Sequence, residues 1–71
     1  METTRLRTKL LSSDDGTAAR GATGLLELHE PSSLRDAERL AFPGGAPSGR
    51  AARRLAEAWE AFRHDRHRAR N

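Results

Sequence analysis

Large apolar side chains are scarce in this chain, and nothing else limits its fold as strongly. Its 71 residues include nine Leu, two Phe, one Trp and one Met, with no Val, Ile, Tyr or Cys. Leu and Phe together fall below the roughly 20% level at which disorder becomes a serious alternative. Against disorder stands a net charge of only +3. So short a chain makes at most one small domain and buries a modest fraction of its surface. The expectation is a loosely held monomer, an oligomer, or a chain that orders on a partner.

Absence of cysteine excludes a disulfide staple and a thiolate metal site. No apolar run exceeds a few residues, so neither a membrane span nor a signal-peptide core is expected. METTRLRTKLLSS has the Arg, Ser and Thr content of a transit peptide, but Glu2, Asp14 and Asp15 argue against one. A cytoplasmic protein is the default. Charge is unevenly placed: residues 50–71 carry seven Arg against Glu57, Glu60 and Asp65, whereas residues 1–49 are close to neutral. A claim about an acidic partner therefore belongs to the C-terminal third. Twelve of the thirteen cationic residues are Arg, which suits bidentate contact with phosphate or carboxylate.

Thr4 to Leu11 alternates, with Thr4, Leu6, Thr8 and Leu10 on one side and Arg5, Arg7 and Lys9 on the other, the period of a half-buried strand. Leu6 and Leu10 are also four apart, which leaves a short helix open. Residues 12–24 are dense in turn formers and lack a large apolar side chain, so they read as a loop. GLLELHE would then be a second strand, with Leu26 and Leu28 on one face. A lone hairpin without β-branched aliphatics is weak, so residues 1–30 are expected to be a weak β-hairpin or an irregular arm.

Residues 31–71 read as a two-helix unit. Ser33 can cap a helix over 33–41 with Asp36 three residues on, and Pro43 ends it by disfavouring helical geometry at Phe42. Residues 43–49 form a Gly/Pro linker, and Ser48 is the cap of a second helix over 49–64. The expected fold is mainly α, a small helix-turn-helix hairpin with that N-terminal arm, and a small α+β fold is the alternative.

Spacing at 100° per residue places Ala52, Leu55, Trp59 and Phe62 on one arc of the C-terminal helix, opposite Arg50, Arg53, Arg54, Glu57 and Glu60. Pairs such as Arg53–Glu57 and Glu60–Arg63 lie at neighbouring helical positions. The arc, stepping by three and four residues, is an anchor set of the kind that seats a helix in a partner's groove. It is equally the core face of a helical hairpin, and as a local statement that is the stronger reading. After Phe62 the pattern fails, and residues 63–71 form a basic tail. Arg63, Arg66, Arg68 and Arg70 could give salt-sensitive affinity for nucleic acid, although no interleaved aromatic offers a stacking platform.

Catalytic and metal signals are poor. GTAARGAT resembles a phosphate loop but has Ala22 where the lysine belongs, and Gly21-Ala22-Thr23-Gly24 is a G-x-x-G without the helices that flank one in KH domains. Glu60 and His67 are about 10.5 Å apart along a helix, too far to share one ion with His64. No cysteine nucleophile or serine elbow is present. Neither an enzyme nor a bound cofactor, metal or small-molecule substrate is expected. The favoured expectation is a small accessory or regulatory protein that binds another protein, or itself, through Ala52, Leu55, Trp59 and Phe62. Nucleic-acid binding through the Arg tail is the alternative, and a precursor peptide modified near its C-terminus is a third.

Overall fold

The computed structural model describes the backbone of residues 2–70 and the side chains of residues 2–65. It contains α1 (Glu2–Leu10), α2 (Asp15–His29), α3 (Leu34–Ala41) and α4 (Gly49–Arg70), with no strand among the described residues. The mainly helical expectation is borne out; the N-terminal hairpin or arm is replaced by two helices.

Burial explains the replacement. Leu25 and Leu26 are both fully buried while Leu28 is half exposed, a pattern that period-two alternation cannot produce. Leu6 and Leu10 lie one helical turn apart and both face inward, with Leu10 completely enclosed. Thr8 fits into α1 by donating its hydroxyl to the Thr4 carbonyl at 3.0 Å, which satisfies its polar group locally.

The segment read as a loop is also helical beyond residue 14. Asp14 caps α2 by accepting the Thr17 backbone N–H at 2.9 Å. From there Ala18, Gly21, Ala22 and Leu25 follow i, i+3, i+4, i+7 and are all buried. Gly21 and Ala22 act as packing residues, because a Cβ on Gly21 would collide with the backbone of α1 at Leu6 and Leu10. Lacking that Cβ, the two helices can lie backbone to backbone. The pairings Leu10 with Gly21, Leu6 with Gly24 and Thr3 with His29 make them antiparallel. At its far end α2 closes on Glu30 in the left-handed region (φ 48°), whose N–H donates to the Leu26 carbonyl at 2.8 Å, and Pro31 prevents continuation.

The second half follows its sequence signals more closely. Ser33 caps α3 by accepting the Asp36 N–H at 3.1 Å, and Phe42, out of helical geometry (φ −130°, ψ 73°) ahead of Pro43, ends it. Gly45, at φ 102°, makes the turn that follows, its N–H reaching the Phe42 carbonyl at 2.8 Å. Ser48 caps α4 through the Ala51 N–H at 3.1 Å.

These four helices share one core. Leu6, Leu10, Leu25, Leu26 and Leu55 form its centre, with Ala22, Ala37, Ala41, Ala51 and Phe42 filling between them. α1 and α2 thus belong to the same core as α3 and α4. Three arginine contacts with backbone or carboxylate tie the helices together. Arg7 donates to the Leu40 carbonyl at 2.8 Å and fixes α1 to the end of α3. Arg54 donates to the Ser12 carbonyl at 2.6 Å and pairs with Asp15, fixing α4 to the turn between α1 and α2.

Candidate functional site

The anchor set proposed from the sequence is divided by the fold. Leu55 is fully buried and serves the core, so it has no surface to offer a partner. Ala52, Trp59 and Phe62 are half-buried. Trp59 and Phe62 lie against the edge of the core, their ring centroids 5.9 Å apart and the planes tilted by 36°. That spacing is typical of a stabilising aromatic pair. The two rings therefore belong partly to the fold and partly to the surface.

Helical spacing explains the division. Ala51, Leu55, Ala58 and Phe62 recur at three- and four-residue steps and turn toward the bundle. Ala52 and Trp59 are rotated toward one side of that stripe, so they lie at its margin. No residue among 63–65 is buried, which leaves Phe62 as the last apolar contact of α4 in the described side chains.

Of the four arginines proposed for nucleic acid, Arg63 is exposed and pairs with Glu60 at 3.4 Å, as the spacing suggested. This pair is open to solvent on both sides and contributes little to stability. The side chains of Arg66, Arg68 and Arg70 lie outside the described residues, as does that of His67. The expected Arg53–Glu57 pair is not formed among the described residues, and both side chains face solvent.

A second surface requires α2 and was therefore invisible while residues 12–24 read as a loop. Between α2 and α4 runs a groove of about 580 Å³. Small side chains form its floor: Ala19 and Thr23 from α2, Ala58 and Ala61 from α4. Arg50 and Arg53 stand on its rim, and Glu57 lies one turn beyond Arg53. The Arg54–Asp15 pair closes the end nearest the α1–α2 turn. The α4 members recur at helical neighbour spacing, and Asp15, Ala19 and Thr23 do the same on α2. That second spacing was the signal available in the sequence, and it carries no weight until the segment is known to be a helix.

Titration adds one local feature. The Thr17 backbone N–H, and then the Thr17 hydroxyl at 2.8 Å, hold the Asp14 carboxyl below its ordinary value of 3.8. Arg20 and Arg54 act in the same direction, while slight desolvation opposes them. This is the chemistry of a helix cap.

His29 shares a 2.8 Å hydrogen bond with Thr3, an exposed contact across the α1–α2 pair. No helix is long and apolar enough to cross a membrane among the described residues. Comparison with protein-family models, with characterised proteins and with solved structures found no significant match to this chain.

Proposed function

We infer that this protein is a small non-enzymatic module that acts by binding another protein, or a second copy of itself, through α4. The observation that carries the reading is the position of Trp59 and Phe62. They are the largest apolar side chains on the last helix, yet they sit at the rim of the core while Leu55 takes its centre. Exposed aromatic edges of this kind are enriched where protein surfaces meet.

The experiment places a photo-activatable phenylalanine analogue at position 62, and separately at exposed Glu38 on α3, in the full chain in its native cells. Discrete adducts from position 62 and none from position 38 are the expected result. Equal adduct patterns from both positions, or none from either, would overturn the reading.

A second reading is contact with nucleic acid through Arg63, Arg66, Arg68 and Arg70. Its support is the charge: residues 50–71 hold seven of the chain's thirteen cationic residues. Such binding would be steeply salt-dependent and would vanish in a chain ending at residue 62.

A further inference from the structure

We propose that the α2–α4 groove is the docking site for an amphipathic helix from a partner protein, with small apolar residues along one face and carboxylates beside them. The proposal rests on the reading of the protein as a partner-binding module and moves the contact surface from the aromatic edge to the groove.

The floor of the groove determines the shape of the occupant. Ala19, Thr23 and Ala61 are exposed, and Ala58 is half-buried beside them. Short side chains on both walls let a third helix approach to the roughly 8–10 Å axial separation of packed helices. An occupant of that form would make a three-helix seam with α2 and α4.

The rim determines its charge. Arg50 and Arg53 lie one turn apart on the exposed side of α4 and have no ion pair among the described residues. Arg54 is already engaged inward by Ser12 and Asp15 and is not available to a ligand. Two guanidinium groups without an ion pair among the described residues, beside small side chains, match carboxylates flanking an apolar stripe.

A nucleic-acid backbone fits less well. Its phosphates would meet the carboxylates of Asp15 and Glu57 along the same groove, and no aromatic ring lines it for a base to stack on. Glu57 also sets polarity along the groove, because an acidic occupant is favoured at the Arg50–Arg53 end and disfavoured beside Glu57.

The test uses the isotopically labelled full chain and three probes. They are a synthetic amphipathic peptide with a Leu/Ala face flanked by Glu, the same peptide with Lys for Glu, and a mixed-sequence DNA duplex. The Glu peptide is expected to shift the backbone amide resonances of Ala19, Thr23, Arg53, Ala58 and Ala61. Its affinity should fall roughly tenfold or more in the R50E/R53E double variant, the scale on which charge reversal beside an interface acts. Ala61→Trp, which fills the floor from an exposed position, should abolish the shifts. Unchanged helical circular dichroism would show that both variants remain folded.

Equal binding of the Lys peptide, or binding that ignores both variants, overturns the groove. Shifts centred on Trp59 and Phe62 overturn it while leaving the partner-binding reading intact. Binding of the duplex alone overturns the groove and supports the nucleic-acid reading instead. If no probe binds, the groove proposal falls, and the crosslinking from position 62 separately decides the partner-binding reading.

Discussion

At Gly21, a Cβ would lie 2.6 Å from the Leu10 nitrogen and 2.7 Å from the Leu6 carbonyl oxygen. Backbone cannot rotate aside as a side chain can. Gly21→Ala is therefore expected to destabilise by about 1–3 kcal/mol, the scale of overpacking, although alanine is the better helix former by up to about 1 kcal/mol. Gly16 offers the internal control, because its added Cβ would meet only the Asp14 carboxylate at 3.5 Å. Gly16→Ala should be neutral or stabilise by up to about 1 kcal/mol. Urea midpoints for the two variants check both, and equal stability of Gly21→Ala with the parent would refute the close α1–α2 packing. Asp14 makes a prediction in pH. Its folded-state value is depressed, so its contribution is fully present above the ordinary value of 3.8. That contribution is lost as pH falls from 3.8 through the lower folded value, where the unfolded chain takes up the proton first. Asp14→Asn keeps an acceptor for the Thr17 N–H but does not titrate, so its unfolding midpoint should be flatter than the parent's across that acid window.

Among the elements, α4 does two jobs along its length. Its first part supplies Ala51, Leu55, Ala58, Trp59 and Phe62 to the core, and residues 63–65 supply nothing to it. A chain ending at residue 62 should therefore keep its fold and lose less than about 1 kcal/mol, the scale of a helix-end charge effect. Thermal unfolding followed by circular dichroism measures this directly. A truncated chain that no longer melts cooperatively would mean that the end of α4 is part of the core. The short helices behave differently. A helix the length of α1 or α3 is marginal alone, so each depends on the contacts that hold it: Leu6 and Leu10 against α2, Ala37 and Ala41 against the rest of the core.

For the whole molecule, the scarcity of large side chains is met by close packing of small ones. Ala18, Ala22 and Ala37 are fully buried, and they bring helix axes together where larger residues would hold them apart. The Cα radius of gyration is 11.3 Å, against about 11 Å for a folded chain of this length and about 26 Å for an unfolded one. Small-angle scattering at low concentration should return a value close to the folded figure. A value near the unfolded one would show that the chain orders only on a partner, and a rise with concentration would identify the partner as a second copy.

Local chemistry was legible wherever a residue acts on its own neighbours. Ser33 and Ser48 as caps and Pro43 as a stop follow from interactions within a few residues along the chain. The N-terminal third was not legible in this way. Thr4 to Leu10 satisfies both a two-residue and a four-residue period, and only the presence of α2 as a packing partner selects the helix. Residues 16–24 carry glycine and threonine that locally favour turns, and their helical state is decided by burial of Ala18, Gly21 and Ala22 against α1. The α2–α4 groove follows from that same decision. The sequence alone determined the caps at Ser33 and Ser48, the stop at Pro43, the mainly helical character and the charge of the C-terminal third. Tertiary structure decided which residues form the core and which surface remains, because small side chains acquire meaning only from what they allow to come close.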